Sequence, residues 1–500
     1  MERKLFARIA CALLATCTLL SFAACGDTND NPQTTTTGSA ALDDTTTSTV
    51  DDKHDANGYL KDELPEDLNY NGSTVTLLTW EDVEHEEFFV EDQNGETVND
   101  AIYKRTITVE ERLGIKLAEI TTKGNSGNIA NWTTFIQNDN MSGSHSFDIC
   151  AGYSLAQAKA ASLGLLYDLN SDDVTHIDFE KPWWSSLLQE QATINNKLYF
   201  VSGDISMNSL YMMYTCFVNT DILKDKGLED PSSLVSSGKW TYDKFFEYCN
   251  GVYADLNGNG TKDVGDLFGY MSSGIHVDPW MYGAGVVICE KDAEGHLKFG
   301  EAFQGERTMD VVTKLNNFLY NTNDGLYTSS VKHQRAFRDG QLLFCIDRSR
   351  ISFKVLADNG DLKYTIVPCP KYDENQNRYY TVMGNPFTLY AVPADSKDPD
   401  KASVVLECLA SESYRITTPA VFEITLKLKY SQDEVSGQMY DIIRENITYD
   451  LGRLYSDALI GQGTFRNAIS SNSNNWMSTV KAFKTPMAKK LAALENSFGF

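Results

Sequence analysis

Three rounds of strand followed by helix, between residues 73 and 166, restrict this chain to few folds. Residues 73–80 (STVTLLTW) alternate and then run apolar, as a strand buried on both faces does. Val98, Ile102, Val109 and Leu113 share one helical face, and Gly114 supplies the stop. A strand follows from Ile115, then a short helix around 132–136, a strand over 147–151, and an alanine-rich amphipathic segment over 155–166. Such alternation predicts an α/β fold around a parallel, doubly wound sheet. At 500 residues the chain is long enough for two or three domains, each with its own core.

Next along the chain is the stretch from Asn196 to Cys249. It opens with a short strand over 197–201 that ends on a turn at Gly203, and an apolar run over 210–218 follows. Asn219, Thr220 and Asp221 offer side-chain oxygens as a cap for one or two helical turns, stopped by Gly227. Pro231 opens a loop, and Thr241 caps a helix with Phe245, Phe246 and Cys249 on one face. Asn196, Lys197, Tyr199, Asn219, Asp221, Lys224, Gly227, Leu228, Pro231, Trp240, Thr241 and Phe245 together resemble the crossover of the extracellular solute-binding proteins of ABC importers, sugar-type. Ser202 and Val218 depart from that pattern, which has proline and tyrosine there.

Further segments carry the same resemblance. They are the helical phrase within 91–117, the strand leading from Ala336 to Asp347, the strand from Tyr364 to Pro370, and the return through Gly384, Asn385 and Pro386. A helix opens at Asp398 and Pro399 with Ala402, Val405, Leu406 and Leu409 on one face. The resemblance implies two doubly wound lobes of the periplasmic-binding-protein type joined by crossing hinge strands. It places residues 64–206 and 384–428 in the first lobe, and residues 207–383 and 429–500 in the second. It also implies a sugar or oligosaccharide as solute and permease subunits as partners.

In such folds ligands sit at the carboxyl ends of strands, where the chain switches direction. The candidates are Trp80, Glu81, Tyr153 and Asp204 on the first lobe, Trp280, Tyr282, Arg348 and Arg350 on the second, and Asn385 at the return. Trp80 and Trp280 are the expected stacking platforms for sugar rings. Trp183 and Trp184, after Pro182, are read as sealing the first lobe.

Residues 1–24 read as a signal peptide, with Arg3, Lys4 and Arg8 ahead of an apolar stretch over 9–22. Ala23 and Ala24 before Cys25 resemble a lipoprotein signal, which implies a lipidated Cys25 on the extracellular face of the cell membrane. Residues 25–63 are rich in Thr, Asp, Asn and Ser and read as a disordered tether. The net charge of −26 argues against a nucleic-acid partner, whose affinity rests on Lys and Arg. Seven cysteines remain after Cys25 (Cys150, Cys216, Cys249, Cys289, Cys345, Cys369 and Cys408). Their wide spacing inside apolar runs reads as buried free thiols.

One motif names a metal. Asp255, Asn257, Asn259, Asp263 and Asp266 stand at loop positions 1, 3, 5, 9 and 12, with Gly260 at position 6 and Thr261 offering its carbonyl at 7. That pattern fits a structural Ca²⁺ loop, with aspartate at position 12 where glutamate is usual. The competing reading is a solvated turn. For catalysis there is no G-x-S-x-G, H-E-x-x-H, Walker loop or G-x-G-x-x-G, and the seven histidines show no ligand spacing. The chain is therefore read as a binding protein and not an enzyme. A glycan hydrolase using a carboxylate pair and a surface adhesion module are the alternatives.

Overall fold

The computed structural model describes residues 53–429 and 434–500; the expected leader, Cys25 and the tether as far as residue 52 lie outside the described residues. Two mixed sheets form the frame, and their strands are numbered β1–β9 in chain order. The first has the order β9-β3-β1-β2, from β1 (Ser73–Trp80), β2 (Ile115–Thr122), β3 (Ile149–Tyr153) and the returning β9 (Thr388–Ala391). β1 pairs in parallel with β2 from Ser73 opposite Ile115 to Trp80 opposite Thr122, and with β3 from Leu77 opposite Ile149. The second has the order β8-β4-β7-β5-β6, from β4 (Tyr214–Asn219), β5 (Phe268–Ser272), β6 (Gly325–Tyr327), β7 (Leu342–Arg348) and β8 (Tyr364–Val367).

Neither sheet is wholly parallel, and the exceptions are informative. β9 runs antiparallel to β3, and β4 runs antiparallel to both β7 and β8. Each of β4 and β9 enters from the other lobe, so it begins at the edge where β1, β3, β5 and β7 end. Chain segments 203–213 and 383–387 cross between the two sheets, and residues 446–450 run beside them. They are tied together by the Gly384 amide donating to the Met212 carbonyl (2.8 Å) and by Thr381 and Val382 pairing in parallel with Ile447 and Thr448.

The caps read in the sequence form. The Asn219 side chain accepts from the Asp221 and Ile222 amides, Thr241 from Lys244, and Asp398 from Lys401 at the start of the helix Pro399–Glu412. Other elements differ from expectation. Residues 197–201 make only single bridges, because Val201 meets Tyr390 alone. The apolar run over 210–218 divides into a helix, Met207–Tyr211, and β4. Around the candidate Trp280, Asp278–Gly283 is a buried helix opened by Pro279. Pro231 opens a helix, Pro231–Ser236, capped by Asp230.

Residues 53–63, expected as the end of a disordered tether, are ordered against the first lobe. Lys61 donates its amide to the Lys53 carbonyl, and Asp62 is buried against Arg112, Arg415 and the Ser411 hydroxyl. Burial alone would raise the Asp62 carboxyl, but the two guanidiniums hold it well below the usual carboxylate range. Charge pairing, which composition does not show, therefore fixes residues 53–63 to the first lobe. The seven cysteines from Cys150 onward are buried and unpaired. Among the described residues no helix is long and apolar enough to cross a membrane.

Candidate functional site

The strand ends of the two sheets face each other across the crossing segments. On the first lobe, β1 runs out into Glu81 and Asp82, whose carboxylate accepts the Gly124 and Asn125 amides beyond β2 (3.1 Å each). Tyr153 ends β3, with its hydroxyl hydrogen-bonded to Asn385 and Ser126. Burial pushes that hydroxyl up to about 12, partly opposed by Arg453 and Arg466 of the second lobe.

On the second lobe a buried carboxylate organises the opposing wall. Asp278 accepts from Arg453 Nη1 (2.7 Å), from Arg466 Nε (2.8 Å) and Nη2, and from Gln462 Nε2 (3.1 Å). Burial works to raise this carboxyl, yet the two guanidiniums outweigh it and hold it below its ordinary value. One carboxylate between two arginines leaves the wall with a surplus positive charge facing Tyr153. Arg348 ends β7, where its Nε lies 3.3 Å from Asp347 Oδ1, and its aliphatic stem lies over Gly384. A Cβ at residue 384 would stand 2.7 Å from Arg348 Cδ, so glycine is needed there for this approach. Arg350 pairs with Glu84 across the lobes, and the His85 ring sits against Tyr211 (4.7 Å) and Phe353 (5.3 Å).

Five sequence candidates thus gather at this edge: Glu81, Tyr153, Arg348, Arg350 and Asn385. Four do not act as expected. Trp80 is 1% exposed, donates Nε1 to Thr388 Oγ1 (3.1 Å), and lies beneath Tyr153 with ring centroids 5.4 Å apart. Trp280 is also 1% exposed and stacks on Phe246 at 5.2 Å and 6° inside the second lobe. Neither ring offers an open face to a sugar. Tyr282 is buried too, donating to Asp450 (3.1 Å), and Asp204 pairs with Arg444 (2.8 Å) in a separate cavity of about 310 Å³ under Trp183, Trp184 and Tyr449. Asp278, Arg453 and Arg466 were not foreseen, since 175 and 188 residues separate the partners. At Asn385 and Arg453 the space left between the lobes is about 10 Å³, room for at most one water molecule.

The aspartate-rich loop forms a compact coil. Asp255 accepts the Gly258 (2.7 Å) and Gly260 (2.8 Å) amides, Asn257 accepts Asn259 (3.0 Å), and Asn259 accepts Thr261 (2.7 Å). Gly258 and Gly260 take positive φ, which lets the side chains turn inward. Asp263 is held below its ordinary value, chiefly by the Gly265 amide. Its two oxygens also accept the side-chain amides of Asn257 (3.0 Å) and Asn259 (2.7 Å). Asp266 is buried, accepting from the Leu256 and Asp263 amides and the Tyr253 hydroxyl. A cation entering the coil would take the place of those two amide donors.

No protein-family model matches the chain, and no curated protein matches it. Its similarities lie among solved structures. One is the GacH receptor of Streptomyces glaucescens, solved with acarbose (14% identity, TM-score 0.52, 84% of this chain and 99% of that one). Another is the galacto-N-biose/lacto-N-biose I-binding protein of a Bifidobacterium longum ABC transporter (13%, 0.55, 84% and 98%). A third is the maltose-binding protein MalE of Listeria monocytogenes, solved with maltose (13%, 0.53, 84% and 98%). At such identities the likeness is one of fold: the chain has the two-lobed α/β fold of the solute-binding proteins of ABC transporters.

Proposed function

We propose that the protein is the extracellular solute-binding component of an ABC importer, and that it captures a sugar or oligosaccharide between its lobes. The observation that carries this reading is the approach of Arg453 and Arg466 of the second lobe to Tyr153, which ends β3 and is hydrogen-bonded to Asn385, beside the crossing segments. Solute that contacts both walls favours the closed form by its differential affinity, and that form is the one a permease would recognise. The three structures described above hold, or are named for, a sugar or sugar analogue. The hydrolase reading needs a carboxylic acid free to exchange its proton. Asp278 is clamped by two arginines that hold its carboxyl below its ordinary value, so it does not serve as such an acid.

The test is a melting screen of the mature domain against oligosaccharides, peptides and polyamines. A bound sugar at a hundredfold excess over Kd is expected to add about 2.7 kcal/mol of stability. A shift with peptides or polyamines and none with sugars would refute the sugar assignment.

Attachment through a lipidated Cys25 belongs to the same proposal, supported by Ala23 and Ala24 before it. Cys25→Ser is expected to move the full-length protein from the membrane pellet to the medium; unchanged sedimentation with membranes would rule the anchor out.

Calcium in the loop of Asp255, Asn257, Asn259, Thr261, Asp263 and Asp266 is likewise our proposal. It is supported by the inward-turned oxygens and the two positive-φ glycines. Added Ca²⁺ is expected to raise the melting temperature, EDTA to lower it, and Asp255→Ala to abolish both responses. A melting temperature indifferent to chelation would leave the segment a turn.

A further inference from the structure

We propose that His276, His333 and Asp347 form a binding site for a divalent transition metal of the zinc class, set just beneath the cleft wall of the second lobe. The three residues come from separate elements: the 3-10 turn Gly274–Val277 that follows β5, the first turn of the helix His333–Arg338, and β7. All are buried, and a ligand atom of each lies within 4.8 Å of the others. His333 Nε2 stands 2.8 Å from Asp347 Oδ2, and His276 Nδ1 stands 3.2 Å from the same oxygen, with the two rings 4.5 Å apart at 65°. Tetrahedral zinc with bonds of about 2.0–2.1 Å requires donor atoms about 3.3 Å apart, so small side-chain shifts suffice.

The donor set suits such an ion, because two imidazoles and one carboxylate are the ligands that zinc, cobalt and nickel accept. The Tyr214 hydroxyl, 3.4 Å from His276 Nδ1, adjoins the fourth position. Without metal, Asp347 Oδ2 accepts from His333 and from Gln334 Nε2 (2.8 Å). Metal binding moves the ring protons to His276 Nε2 and His333 Nδ1, which are buried and have no partner among the described residues. Such outer partners typically carry 10–100-fold in affinity, so micromolar binding is expected in place of the tighter grip of a fully supported site. Asp347 Oδ1 meanwhile holds Arg348, so ion and rim arginine share one carboxylate.

Untagged mature protein, stripped with EDTA and dialysed, is titrated with Zn²⁺ by calorimetry and with Co²⁺ by visible absorption. One equivalent of micromolar affinity is expected, with the strong visible bands of four-coordinate Co²⁺. His276→Gln and His333→Gln, each checked for native circular dichroism, are expected to weaken binding at least a hundredfold. The proposal is overturned by wild-type protein that leaves Co²⁺ as the pale aquo ion. It is equally overturned by one-equivalent binding that survives in both glutamine variants. Should neither variant fold, the wild-type Co²⁺ spectrum alone decides between these outcomes.

Discussion

Trp280→Ala is expected to destabilise the second lobe by about 3–5 kcal/mol, the range for emptying a large aromatic site in a core. The indole stacks on Phe246, meets Phe245 edge-on at 5.0 Å and Tyr242 at 4.9 Å, and donates Nε1 to the Tyr270 hydroxyl (3.0 Å). Alanine leaves a cavity lined by four rings and removes the donor that the buried Tyr270 oxygen accepts from. Urea unfolding monitored by circular dichroism measures the loss, and solute affinity of the fraction that stays folded is expected to change little. A variant of unchanged stability that no longer binds solute would put the ring back in the cleft.

Asp278→Asn should cost a similar amount, about 3–5 kcal/mol, because it strands two buried guanidiniums without their counter-charge. The asparagine keeps the shape and loses the charge, so electrostatics is isolated from packing. pH adds a second signature. The folded-state pKa of Asp278 is held below its unfolded value near 3.8, so its stabilisation is fully present above that pH and fades as pH falls further. Wild type is therefore expected to lose its advantage over the variant as the medium is acidified below about pH 4. A stability gap that stays constant through that window would contradict the ion-pair account.

The alternation that makes β1, β2 and β3 was legible because each strand is bounded by a glycine, a cap or a change of period, as Gly114 shows between helix and β2. Caps were legible for the same local reason: Asn219 and Thr241 act within three residues of themselves. The helix Asp278–Gly283 was not, because it is buried on every side and its apolar run has no stripe to reveal a period. The position of Trp80 and Trp280 near strand ends was readable, but the direction in which each ring points depends on partners such as Thr388 and Phe246. The arginines at 453 and 466 lie far along the chain from Asp278, and His276 lies far from His333. Only folding brings them together, since no spacing rule operates over such distances.

The anchorage of Asp62 between Arg112 and Arg415 has a mechanical consequence. All three residues belong to the lobe built on β1, so the chain leading in from residue 53 is fastened to that lobe alone. In the anchored protein proposed above, a pull arriving at residue 53 would enter the fold through that lobe and not through the one carrying Arg348 and Asp278.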